Sequence, residues 1–209
     1  MKALLLIDLQ IDLLPGGAIA VPQGDAVIAL ANPLQHAFKL VVATQEWHPL
    51  NHKSFAANHL ERKPGDVVIL KKQRQTLWPT HCVQNTRGAA LVPTLNLSRV
   101  NKVFRKGTDP EIDTLSGFSE QDCRQTTTLS GFLKAKRVTQ VFLMGLATEE
   151  AVKFTALDAV ALGFETFVIE DACRARDTDA GADALSEMEE SGVKIIHSRD
   201  LLAPPPLRR

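Results

Sequence analysis

The sequence has few cysteines: Cys82, Cys123 and Cys173 are the only thiols in 209 residues. They are scattered and odd in number, which argues against a disulfide framework and fits a reducing cytosol. An excess of either charge is also missing, since 24 basic residues balance 24 acidic ones. Binding to polyanions draws on a basic surplus, so neither a nucleic-acid nor a membrane partner is expected. Long apolar runs are absent too. Met1-Lys2 leads into a hydrophobic stretch, residues 3–7, that stops at Asp8. That is too short for a signal h-region or a transmembrane span. A soluble cytoplasmic protein is the expectation. No G-x-G-x-x-G or G-x-x-x-x-G-K-[ST] loop follows any apolar run, so a phosphate cradle lacks support.

What is present is an ordinary globular composition, 44% hydrophobic and 23% charged. The length suits one α/β domain over residues 1–209, with residues 203–209, which include three successive prolines, as an extended or frayed tail. Five short apolar runs stand out at residues 3–7, 40–44, 100–105, 140–145 and 164–170. They are nearly continuous rather than alternating, as strands covered on both faces should be. Helical patterns fill the gaps at residues 25–38, 127–135, 149–162 and 180–191, with Gly163 and Gly192 just beyond the last two. Strand and helix in alternation predict a mostly parallel central sheet with helices on both faces. Residues 51–88 form a long, polar and poorly periodic segment, which in a compact domain is usually functional.

In an open parallel sheet, ligands bind beyond the carboxyl ends of the strands. Asp8 follows the first run, Glu46-Trp47-His48 the second, Lys106 the third and Leu146-Ala147-Thr148 the fourth. One acid, one lysine and a histidine cluster are therefore expected on one rim. The stretch from Glu46 to His52, joined by His81 further on, offers one carboxylate and three imidazoles. That donor set suits one divalent ion such as Zn, Fe or Mn. Asp8 and Lys106, each unremarkable alone, could together hold a nucleophile placed between them in its reactive form.

Taken in order, D-L-Q-x-D with P-G-G, W-H-P-x-N-H-x-S-F, W-P-x-H-C-V-Q, K-G-x-x-P-x-x-D and G-L-A-T-x-x-x-V-K-F-T resemble the nicotinamidase branch of the isochorismatase-like cysteine hydrolases. The resemblance runs from Ala3 to about Ala172. It implies an α/β fold and a reaction in which a cysteine attacks nicotinamide, releases ammonia and leaves nicotinic acid for pyridine nucleotide salvage. It further implies Asp8 and Lys106 as catalytic partners, and Glu46, His48 and His81 as metal ligands with His52 as ligand or support. Backbone N–H groups near Ala147 and Ala151 would form an oxyanion hole, and Trp78 an aromatic wall for a small pyridine carboxamide. The resemblance leaves homo-oligomer formation open.

The family pattern G-x-A-T-D-x-C-V reads here Gly145-Leu146-Ala147-Thr148-Glu149-Glu150-Ala151-Val152. A methyl group thus stands at the implied nucleophile position, and without a lone pair it cannot form a thioester. Other departures accompany it. Glu46 replaces a metal aspartate, Leu13 stands where a substrate-facing ring is common, Ile11 replaces an asparagine and Thr114-Leu115 replaces Ser-Tyr. Glu150 is expected to add negative charge beside position 151. A laboratory cysteine-to-alanine change would alter one residue, whereas several drift here, which favours natural divergence. The expectation is a nicotinamidase-like site with amidase activity absent or severely reduced. The alternatives are a pseudoenzyme that binds a nicotinamide-like ring or acts as an oligomer partner, and an engineered variant of an active enzyme. A third chemistry, cleavage of a vinyl ether with Asp8 as proton donor, would need a raised Asp8 pKa, which Lys106 should oppose.

Overall fold

The computed structural model describes residues 1–118 and 128–202. Cys123 and the expected tail, residues 203–209, lie outside them. Six strands form one sheet in the order β5-β2-β1-β6-β7-β8. These are β1 (Lys2–Ile7), β2 (Leu40–Glu46), β5 (Lys102–Lys106), β6 (Gln140–Leu146), β7 (Glu165–Arg174) and β8 (Lys194–Ile196). Every pairing in this sheet is parallel. Around it lie α1 (Ala26–Leu34), α2 (Leu129–Ala135), α3 (Lys153–Ala161), α4 (Thr178–Glu190) and α5 (Arg199–Leu202). The α/β class expected from the sequence is therefore observed.

The apolar runs explain the centre. Residues Ala3 to Ile7 of β1 are all 0% exposed, because both faces of the strand are covered and neither can present polar groups to water. Chain order reverses beside this strand. From β1 the sheet grows one way through β2 to β5 and the other way through β6 to β8. The crevice between β1 and β6 is thus the topological switch point, where open α/β sheets bind ligands.

The structure differs from the sequence expectation in three places. Within residues 51–88, β3 (Val67–Leu70) and β4 (Gln73–Thr76) form an antiparallel hairpin. Its pattern was hidden because outward Val67 and Ile69 are exposed, so burial does not alternate with polarity. The short edge strand β8 and helix α5 were also missed. Lastly, the helix expected from residue 149 opens with a π-helical turn, Thr148–Val152, before α3 begins. No helix among the described residues is long and apolar enough to cross a membrane.

Candidate active site and metal centre

Four strand ends deliver the expected side chains to one rim. Asp8 follows β1, Glu46 closes β2, Lys106 closes β5, and the π-helical turn with Ala151 follows β6. Register contributes directly: Glu46 and Lys106 are paired residues on neighbouring strands, as are Ile7 and Gly145. At Gly145 a Cβ would stand 2.1 Å from the Ile7 carbonyl oxygen, and φ is +137°, so the close approach of β1 and β6 requires glycine there. The Leu146–Ala147 peptide, which leads into the turn, is cis.

Asp8, Lys106 and Glu46 form one buried ionic cluster. Lys106 Nζ lies 2.9 Å from Asp8 Oδ2 and 3.0 Å from Glu46 Oε1, and donates to the Thr114 carbonyl at 3.2 Å. Thr44 Oγ1 donates to Asp8 Oδ1 at 2.6 Å and accepts the Asp8 N–H at 3.1 Å. Asp8 holds this position with φ of 49°, in the left-handed region that non-glycine residues seldom occupy. The sequence reading set Asp8 and Lys106 apart with a nucleophile between them. They are instead in direct contact, and Lys106 is shared with a second carboxylate.

The electrostatics follow from that sharing. Burial raises the Asp8 pKa, Lys106 pulls it down, and the nearby Glu46 charge pushes it up, with a net rise. The expectation that Lys106 would hold Asp8 low is therefore corrected: complete burial outweighs one ammonium already committed to Glu46. For Glu46, burial would raise the pKa, but Lys106 and the two neighbouring imidazoles hold it well below the usual range. For Lys106, burial would lower the pKa, and the two carboxylates more than reverse it. Thr44 occupies one oxygen of Asp8, and the Lys106 ammonium lies beside the other.

Beside this cluster, Glu46, His48 and His81 bring one ligand atom each within 4.8 Å of one another, and all three are buried. His48 Nδ1 donates to the Gly107 carbonyl at 3.0 Å and His81 Nδ1 to the Pro79 carbonyl at 2.8 Å. A carbonyl can only accept, so Nδ1 carries the hydrogen and Nε2 is the nitrogen that each ring turns inward. At Gly107 a Cβ would stand 2.3 Å from the His48 ring, so only glycine admits the imidazole. His81 Nε2 and His48 Nε2 lie 3.2 and 3.7 Å from Glu46 Oε2. Glu46 Oε2 and His48 Nε2 are buried without a hydrogen-bond partner. Two imidazole lone pairs and an unsatisfied carboxylate oxygen converging on one point are a chemical fit for a divalent cation. Burial lowers the His81 pKa and the Glu46 carboxylate raises it, with a net rise.

His52 stands next to the set, its ring centroid 4.5 Å from that of His48. Its two nitrogens are engaged by Ser54 Oγ at 2.7 Å and the Ile112 carbonyl at 3.3 Å. It packs against His48 and is not among the three residues whose ligand atoms converge. Trp78 is partly buried; its Nε1 donates to Asp113 at 3.1 Å, and its ring lines a cavity of about 380 Å³ with Ile19, Pro79 and Arg176. Leu13 belongs to the buried core and does not line this cavity.

Sequence reasoning missed Arg176. Its Nε and Nη2 donate to Glu150 Oε2 at 3.1 and 2.9 Å, and its Nη1 donates to the Ile19 carbonyl. The Arg176 N–H reaches Glu149 Oε1 at 2.8 Å, and the guanidinium lies 5.7 Å from the Trp78 ring centre. Glu150 therefore does not bring uncompensated charge to Ala151, as expected from sequence. Its partner lies 26 residues away, and no local motif announces it. Ala151 itself is 3% exposed within the turn. The described thiols offer no substitute nucleophile. Burial and nearby Glu46 push the Cys82 pKa up, and burial pushes Cys173 up to about 12.

A family model described as "Isochorismatase domain" matches residues 2–200. The nicotinamidase of Acinetobacter baylyi is 43% identical over 201 residues, covering 96% of this chain and 94% of its own. The solved Acinetobacter baumanii nicotinamidase/pyrazinamidase superposes with a TM-score of 0.89 at 42% identity, over 96% of this chain and 98% of that one. The pyrazinamidase of Pyrococcus horikoshii, solved in complex with zinc, gives 0.80 at 36% identity, over 94% and 98%.

Proposed function

The chain belongs to the nicotinamidase/pyrazinamidase branch of the isochorismatase family, and from that premise we propose that it is a single-domain nicotinamidase-like protein that binds a pyridine carboxamide but lacks amidase turnover. The observation that carries this reading is a polar constellation at the same strand ends from which the turn holding Ala151 departs. Asp8 and Lys106 meet at 2.9 Å, and three ligand atoms converge beside them. Glu46, His48 and His81 would hold one divalent ion, which would supply Lewis acidity to a ligand or its attacking water. Trp78 would offer an aromatic face to the ring. The backbone at Ala147 and Ala151 lies at the start of a helix, where N–H groups are free to meet a carbonyl oxygen. A methyl group at 151 supplies no electron pair, so the acyl-enzyme step has no starting point.

Natural divergence is favoured over a single engineered change because Glu46 and Leu13 also depart from the family pattern; the Glu150–Arg176 pair is compensated and does not separate the two origins. The test is ammonia release from nicotinamide by zinc-loaded protein, beside nicotinamide binding followed by tryptophan fluorescence. Binding without turnover is expected, since loss of a nucleophile costs on the order of a millionfold in kcat. Turnover near ten per second, typical of enzymes, would refute the reading.

A further inference from the structure

The short segment after β1 reaches every member of the metal centre without contributing a ligand. Gln10 is 0% exposed and grips the backbone of Glu46 at two points. Its Nε2 donates to the Glu46 carbonyl at 2.8 Å, and its Oε1 accepts the Glu46 N–H at 2.7 Å. The same Nε2 donates to the Ala89 carbonyl at 2.9 Å, which also accepts from Gln45 Nε2 at 2.8 Å. An amide held by a donor on one side and an acceptor on the other has one orientation only. Glu46 is thereby fixed along its strand, and with it the origin of its side chain.

Asp12 acts on the histidines. Its Oδ2 accepts the Cys82 N–H at 2.7 Å. Cys82 directly follows His81, and its carbonyl accepts the His48 N–H at 3.0 Å. One residue therefore joins both imidazoles. Cys82 has φ of 44°, a conformation a side-chain-bearing residue holds only where its surroundings impose it. The Asp12 bond is one such constraint, and the buried Cys82 side chain is another. Segment 9–12 is itself anchored, because Ile11 and Asp12 donate to the Ala90 and Gly88 carbonyls at 3.1 and 3.0 Å.

We infer that Gln10 and Asp12 are positioning residues for the metal centre: Gln10 sets Glu46, and Asp12 sets His81 and His48 through the Cys82 peptide. This rests on the reading that Glu46, His48 and His81 hold a divalent ion. The role is that of the outer partners of metal ligands, whose loss commonly weakens affinity by about 10- to 100-fold.

The experiment measures zinc affinity by competition with a chromogenic chelator, with the melting of the metal-free protein recorded in parallel. Gln10→Ala and Asp12→Ala should each weaken zinc by tenfold or more. Asp12→Asn keeps an oxygen that can accept the Cys82 N–H, and should stay within about threefold of the parent. Asn32→Ala is the control. It removes a comparable clamp, to the Thr94 carbonyl and the Asn96 N–H at 3.0 and 2.7 Å, which touches no ligand. It should lower stability and leave zinc affinity unchanged. In a background lacking His81, Asp12→Ala should cost less affinity than it does in the parent, because part of its effect passes through that ligand. Should Gln10→Ala fail to fold, the Asp12 pair decides the matter. Parent-like zinc affinity in Asp12→Ala, or an equal loss in Asn32→Ala, overturns the inference alone. A parent protein that takes up no zinc overturns the metal reading, and the inference with it.

Discussion

Glu46 and Lys106 are register partners on adjacent parallel strands, and their side chains meet at 3.0 Å where Lys106 is 3% exposed. The other Glu46 oxygen faces the two histidines. One carboxylate thus joins the Asp8–Lys106 pair to the histidine cluster that could hold a metal, which makes the two halves of the site a single electrostatic unit.

Removing the ammonium should be severe. Lys106→Met leaves Asp8 and Glu46 buried with no cation between them, and breaking a buried pair from one side typically costs about 3–5 kcal/mol. Urea denaturation of the metal-free protein measures it. Adding Asp8→Asn to the same chain should recover part of the loss, since one of the two uncompensated charges is then gone. Unchanged stability in Lys106→Met would contradict the cluster.

Restoring a thiol should not restore an enzyme. In Ala151→Cys, nicotinamide hydrolysis is expected to remain at least a hundredfold below about ten per second. The obstacle is not Glu150, whose charge Arg176 meets at 2.9 Å. Lys106 is divided between two carboxylates, and Glu46 sets its oxygens one methylene beyond an aspartate's. Ala151→Cys with Glu46→Asp should therefore be the faster variant in an ammonia assay. A fully active single variant would make a lone engineered substitution the better account of position 151.

Arg176 should matter to the turn that carries Ala151. Arg176→Gln removes charge-assisted bonds to Glu150 and the bond to the Ile19 carbonyl, so a loss of about 2 kcal/mol is expected in denaturant unfolding. Glu150→Gln should cost less, and the double variant less than the sum, because the two residues share one interaction. Strict additivity would mean that the pair contributes nothing as a pair.

Cys82 and Cys173 should be silent towards a disulfide reagent in the native protein at pH 8 and react on unfolding. Both folded pKa values are raised, Cys173 to about 12, above the ordinary thiol value of 9.0. A raised pKa contributes stability that is complete below the unfolded value and is lost as pH rises towards the folded one. The protein should therefore weaken between pH 9 and 12, by about 1.4 kcal/mol per pH unit for each thiol in that window. Cys173→Ala should flatten the slope, and a slope unchanged by it would show that other groups drive alkaline unfolding.

The strands and the identity of the rim were readable because buried parallel strands need continuous apolar residues, and because whatever follows them faces the crevice. Asp8, Glu46, His48 and Lys106 were placed on the rim that way, whereas His81 came from its loop motif and follows no predicted strand. Partnerships across the chain were not readable. Nothing in the order of residues says that Lys106 has two carboxylates, that Arg176 answers Glu150, or that Gln10 holds the Glu46 backbone. The direction of the Asp8 shift was misjudged for the same reason. It depends on complete burial and on a second anion, neither of which is visible from a strand end.

Position 151 differs in kind from its neighbours, and this bears on how such a chain can change over generations. Lys106 balances two buried carboxylates, so its loss leaves charge stranded in the interior. A small apolar side chain at 151 strands nothing. Catalysis can thus disappear from this fold by the substitution the fold notices least, while the ionic cluster persists because folding itself selects for it.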